Sequence, residues 1–184
     1  MDLLEKLTQK RILVGIPAEK ADRQHKEGSP LNNASIAYLV NNGSPANNIP
    51  PRPFMEKGIK AANKRNASLV AAMMKAVFAG DEAEAEQIKE RIGLNTQNAI
   101  KSEIANGSYT PLALSTIRNR IRRTRNKNNT PLTRQQRSEI MKQEAAQRSV
   151  GDFSGVKNSA GNQLYKPLLD TGEMAGKITY VIEE

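Results

Sequence analysis

Cysteine and tryptophan are absent from this chain, and His25 is its single histidine. Without cysteine there is no disulfide, no thiolate zinc site and no thiol nucleophile. A serine nucleophile would need His25 as its base, yet that residue lies in the polar run 21–30 (ADRQHKEGSP), which predicts a solvated loop. No P-loop and no G-x-G-x-x-G spacing occurs. Met1–Lys10 is amphipathic but carries Asp2, Glu5, Lys6 and Lys10, so it lacks the apolar stretch of a signal peptide, and no run is long enough to span a bilayer. Aromatic residues make up only 4% and hydrophobic residues 38% of the sequence, which predicts a small core. A chain with a small core gains stability by packing against copies of itself. Together these absences predict a protein with no catalytic centre, no cofactor and no membrane contact, made in a reducing cytoplasm or indifferent to redox state.

What is abundant is positive charge. Lysine and arginine number 28 against 19 acids, a net charge of +9 over 184 residues, a length that suits a single domain. Such an excess favours an anionic partner, either nucleic acid or an acidic protein surface. Between Glu103 and Glu139 there is no acid at all, and that interval holds Arg118, Arg120, Arg122, Arg123, Arg125, Lys127, Arg134 and Arg137. The run reads either as a solvated face or as a surface that meets DNA or an acidic neighbour. The stretch 118–137 contains no aromatic residue to stack on bases, so contact with DNA would be with phosphates and independent of sequence.

Hydrophobic patterning outlines the elements. Residues 11–16 form a short apolar run before Pro17 and read as a buried strand. Residues 34–40 are apolar and fit either a strand or a short helix, closed by Asn41-Asn42-Gly43. Pro45, Pro50, Pro51 and Pro53 then predict an extended, rigid connector over 44–53. A long helix is expected over 54–79, with Ile59, Ala62, Leu69, Met73, Met74 and Val77 as its apolar stripe. Gly80 would stop it and Asp81 would cap a second helix, 82–106, with Ile88, Ile92, Ala99, Ile100 and Ile104 on its inner face and Gly93 as a weak point. Glu82, Glu84 and Glu86 suit its positive N-terminal end but alternate along the helix start and do not converge on one point. Further helices are expected over 114–125 and 132–148, the second capped by Thr130 with Pro131 at its first position. A Gly/Ser/Asn-rich loop over 151–163, a turn over 166–172 and a strand over 177–182 complete the chain. The fold class is therefore α+β: a small sheet of the N- and C-terminal strands packed on one face by a helical hairpin, with an added basic helical insertion at 125–165.

Three local patterns, in this order, resemble the bacteriophage virion-morphogenesis proteins, a family of tail-completion, neck and head–tail joining proteins. The first is Ile12-Leu-Val-Gly-Ile16 followed by Ala34-Ser-Ile-Ala-Tyr38. The second is Gly43-Ser44 leading to Ile49-Pro-Pro-Arg-Pro-Phe54. The third is Lys166-Pro-Leu-Leu-Asp-Thr-Gly-Glu-Met174 followed by Ile178-Thr-Tyr-Val181. The run from Pro111-Leu112 to Ser115–Arg120 is also similar to the family's segment upstream of that third pattern. Members commonly carry an acidic and an aromatic residue where this chain has Asn41-Asn42, and the stretch between Arg125 and Lys166 is longer than usual.

The resemblance implies a structural virion subunit, found in the neck or tail of the particle and in the host cytoplasm during assembly. It would form a ring with copies of itself at the head-proximal end of the tail and join tail to head through adjacent connector and tail-tube proteins. Arg52, Phe54, Asp170 and Thr171 stand as interface or anchor residues on this reading, with Phe54 either an inter-subunit plug or plain core. The basic residues Arg118, Arg120, Arg122, Arg123, Arg125 and Lys127 would face DNA in the channel or a partner ring. A free basic DNA-binding protein is the rival reading. An aspartic protease built on Asp170-Thr171-Gly172 would need a second such carboxylate, and none is apparent.

Overall fold

A computed structural model describes residues 10–22, 31–125, 128–152, 166–169 and 172–183. Two compact units emerge, one made of Met1–Gly107 with Glu173–Glu184, the other of Ser108–Gly172. The elements in chain order are β1 (Arg11–Gly15), α1 (Asn33–Asn42), α2 (Phe54–Ala79), α3 (Glu82–Asn106), α4 (Leu114–Arg123), α5 (Arg134–Ser149), α6 (Glu173–Lys177) and β2 (Thr179–Glu183). This is an α+β architecture, with terminal strands and a long helical hairpin as the sequence led one to expect. His25, Lys127, Asp170, Thr171 and residues 153–163 of the expected loop lie outside the described residues.

The first unit is organised around the antiparallel pair α2 and α3. The buried stripe of α2 runs through Phe54, Gly58, Ala62, Asn66 and Ala76, while Leu69 and Met73 are half-buried. Ile59 and Met74 were expected on this stripe and are exposed instead, because each lies one residue, about 100° of helical turn, off the line that meets α3. On α3 the inner face is Ala85, Lys89, Ile92, Gly93, Thr96, Ala99, Ile100 and Ile104. A Cβ at Gly58 would stand 2.6 Å from the Ile100 Cα, so only glycine permits this backbone approach. Farther along, buried Asn66 donates to the Thr96 hydroxyl (3.2 Å) and accepts from Asn95 (3.0 Å). That polar set has partners only in one sliding position of the helices, so it fixes their register. Gly80, in the left-handed conformation, ends α2, and the Asp81 carboxylate accepts from Glu84 N–H (2.9 Å) to cap α3. Lys10 donates to Glu86 (3.0 Å) and holds that carboxyl below its ordinary value.

The strands pair antiparallel with Ile12 opposite Ile182 and Val14 opposite Tyr180, and this ribbon lies on α3. Gly93, expected as a weak point, is the seat of the contact: a Cβ there would stand 2.5 Å from the Tyr180 ring. Gln97 accepts from Tyr180 N–H (3.2 Å) one turn along. β2 starts at Thr179, two residues later than expected, because Glu173–Lys177 is helical.

Residues 34–40 resolve as helix. Asn32 accepts from Ser35 N–H (2.8 Å) and starts α1, and Gly43 ends it. The connector 44–53 is not extended throughout: Pro45–Asn47 form a 3-10 turn, Asn48 is left-handed, and Ser44 and Ile49 bridge across it. Gly43 has φ +78, and a Cβ on it would meet Ile49 O at 2.8 Å, so this corner requires glycine. Pro53 precedes α2 and offers no capping side chain. The cap comes instead from Asn41, whose Oδ1 accepts from Met55 N–H (3.1 Å) while its Nδ2 donates to Glu56 (2.9 Å).

The second unit packs α4 on α5 over Leu112, Ile117, Ile121 and Leu132, with Ile140 and Met141 alongside. α4 ends at Arg123, because Thr124 turns extended and its hydroxyl donates back to Arg120 O (3.1 Å). α5 is capped at Thr133, three residues after the expected Thr130. Thr133 and Gln136 form a reciprocal capping box, each side chain accepting from the other's backbone N–H. Pro131 instead bridges to Arg125 ahead of the helix.

The remote cap yields a direct expectation. Asn41→Ala lowers the stability of the protein by about 1–2 kcal/mol through the lost cap and its buried partners. Asn42→Ala, at an exposed neighbour that donates only to Tyr38 O, stays within about 0.5 kcal/mol. Urea unfolding midpoints compare the two, and equal losses would show that the Asn41 cap is not what holds the helix start.

Candidate anion-binding groove

Charge is unevenly placed in the chain. Ser108–Gly172 contains twelve lysines and arginines against four acids, so +8 of the total +9 belongs to this unit. The arginines there divide into two kinds.

One kind is internal. Arg120 is buried, and its guanidinium donates to the carbonyls of Lys166 (3.0 Å) and Leu169 (2.8 Å). It therefore ties α4 to the Lys166–Leu169 segment and corrects its expected place on a DNA- or partner-facing surface. Arg148, which no motif singled out, donates to buried Glu144 (2.7 Å) and to Leu112 O (2.7 Å), joining the end of α5 to the start of the unit. In so small a core these guanidiniums act as cross-links, each donating to backbone carbonyl oxygen in a segment outside the helices.

The other kind lines an open groove of about 430 Å³ between α4 and α5. Arg118 and Arg122 contribute from α4, Arg134 and Arg137 from α5. Ile121 and Met141 form the apolar part of the lining, and Ser138 adds a hydroxyl. The helical repeat explains the convergence. Arg118 and Arg122 are one turn apart, and so are Arg134 and Arg137, so each pair lies on one face of its helix. Ile121 and Met141 bring those two faces together. Among the described residues, no carboxylate lines the groove. None of the four guanidiniums makes an ion pair or a hydrogen bond among the described residues. The groove thus presents hydrogen-bond donors and positive charge with no internal counter-charge.

The remaining expected site residues are placed as follows. Arg125 is exposed and donates to Asn129 O (3.1 Å) across a tight turn. Arg123 is exposed on α4. Arg52 is buried, its backbone N–H bonded to Val40 O (3.0 Å), and desolvation lowers its guanidinium from the ordinary value while leaving it charged. Phe54 is 0% exposed. Both belong to the elbow between α1 and α2, so the core alternative describes Phe54 and the interface role expected of the two finds no exposed surface. Among the described residues, no group of three or more His, Asp or Glu is placed to hold a metal ion, and no helix is long and apolar enough to cross a membrane. No protein family, curated protein or solved structure matches the chain.

Separating the two kinds of arginine is testable by stability. Arg120→Ala removes two charge-assisted bonds and costs the second unit about 2–3 kcal/mol, whereas Arg118→Ala stays within about 0.5 kcal/mol. Hydrogen exchange of the α4 and α5 amides reads this, with faster exchange in the first variant only. Equal protection in both would remove Arg120 from its structural role.

Proposed function

We propose that this chain is a structural subunit of a tailed-phage particle that performs no chemistry. Copies form a ring at the head-proximal end of the tail, as a tail-completion, terminator or neck protein, and the ring joins tail to head. The placement in a phage rests on the resemblance carried by the segments around Ile12, Gly43, Pro50–Phe54 and Lys166–Met174. The idea of assembly rests on surface chemistry.

The observation that carries it is a second apolar stripe on α2. Val70, Met74 and Phe78 follow one another at four-residue steps and are 40%, 42% and 65% exposed, with Ala67 and Ala71 exposed beside them. A helix needs one apolar face to fold against its partner, and α2 has a further one facing out. The sheet repeats the pattern, since Leu13 and Val181 are directly paired and both exposed. An apolar recess of about 210 Å³, lined by Ile16, Ala37, Tyr38, Met55 and Ile178, opens on the same unit. Different patches on one surface favour head-to-tail contact, and head-to-tail contacts that close by rotation make rings.

The test is the mass of the purified protein in solution. Wild type sediments as a closed oligomer over a wide concentration range. Val70→Asp, Met74→Asp and Phe78→Asp together give a monomer with unchanged helix content by circular dichroism. A wild type that stays monomeric at every concentration contradicts the proposal.

A further inference from the structure

We propose that the groove between α4 and α5 is a site for the phosphodiester backbone of double-stranded DNA, held by Arg118, Arg122, Arg134 and Arg137. This does not rest on the ring reading, because one chain carries the whole groove.

The argument begins with donors and acceptors. Among the described residues the groove offers four guanidiniums and one hydroxyl, Ser138, its single side-chain oxygen acceptor. An acidic peptide would bring backbone N–H groups along with its carboxylates, and these would find almost nothing to accept them once desolvated. A DNA backbone brings acceptors only: phosphate oxygens and sugar oxygens. RNA would add a 2′-hydroxyl donor to each sugar. The chemistry of the groove therefore matches a DNA strand better than either rival.

Spacing supports a repeating ligand over a single small anion. Arg118 and Arg122 stand about 6 Å apart along α4, and Arg134 and Arg137 about 4.5 Å apart along α5. Guanidiniums separated along two helices in this way can each take a different phosphate, and successive phosphates of one strand share them out. The two apolar lining residues, Ile121 and Met141, suit the carbon face of the sugars between phosphates. Among the described residues no aromatic side chain lines the groove to stack on an unpaired base, so the ligand keeps its bases paired and presents its backbone. Contacts of this kind position a duplex without reading its sequence.

Binding of a mixed-sequence duplex by the full chain tests this, with affinity followed over salt. Four phosphate contacts give a log–log salt slope of about −3 to −4, or roughly a hundredfold loss between ~50 and ~200 mM salt. The variant Arg118→Gln, Arg122→Gln, Arg134→Gln and Arg137→Gln should lose at least about tenfold in affinity and most of that slope. A second variant, Lys20→Gln, Lys60→Gln, Arg65→Gln and Arg91→Gln, removes the same net charge at exposed positions of the other unit and should stay within about threefold. Hydrogen exchange of α4 and α5 establishes that the groove variant is folded. Equal losses in the two variants would reduce the effect to net charge and overturn the site. So would tighter binding of polyglutamate or of single-stranded DNA than of the duplex. Retained duplex binding by the groove variant would overturn it as well.

Discussion

The contact of Gly58 with the Ile100 backbone is the constraint on which the first unit depends. It brings two long helices closer than any side chain at position 58 would allow. Once they are that close, buried Asn66 has partners only where Asn95 and Thr96 stand opposite, and the register follows. The register in turn decides which residues of α3 face the sheet, and Gly93 presents the flat seat on which Tyr180 lies. Asn41, Gly43 and Arg52 then deliver the chain into α2 at the required angle through a corner with almost no freedom. Aligned in this way, the hairpin turns Val70, Met74 and Phe78 outward. This exposed apolar stripe is thus a by-product of the same register that builds the core.

The second unit follows a different logic. Its core is a handful of aliphatic side chains, and buried arginines bonded to carbonyls supplement it. A guanidinium can serve as a cross-link because its fork satisfies two acceptors at once and its charge survives partial burial. Arg118, Arg122, Arg134 and Arg137 make no such bond among the described residues. They collect along one groove where no carboxylate answers them. The cost is mutual repulsion among like charges, and an anion supplied from outside relieves it. Exposed apolar surface in one unit and uncompensated charge in the other both point to a molecule completed by what it meets.

Much of the fold was legible because helices advertise themselves by period and by their ends. The hairpin, the Gly80 stop and the Asp81 cap follow from local rules, and so does the pairing of terminal strands in an α+β class. Residues 34–40 fit either a strand or a short helix, and the local Asn32 cap with the Gly43 stop decides for helix. Elsewhere a tertiary partner decided the outcome. Gly93 looks like a defect until Tyr180 is brought to it from the far end of the sequence. Arg120 is chemically identical to its neighbours in the basic run. Only the carbonyls of Lys166 and Leu169 distinguish it, and these lie more than forty residues away. The sequence does hold one local signal: Ile117, Arg120 and Ile121 share a helical face by spacing, so Arg120 belongs with the buried side. Similarly, the Thr133–Gln136 capping box was written in the sequence and outranks the Thr130-Pro131 signal.

We propose that this chain acts through the surfaces it offers to copies of itself and to adjoining layers of a particle. Electron microscopy of phage particles produced in cells lacking this chain tests that claim most directly. The expected field contains filled heads and separate, complete-length tails that have not joined. Intact infectious particles in normal number would contradict it.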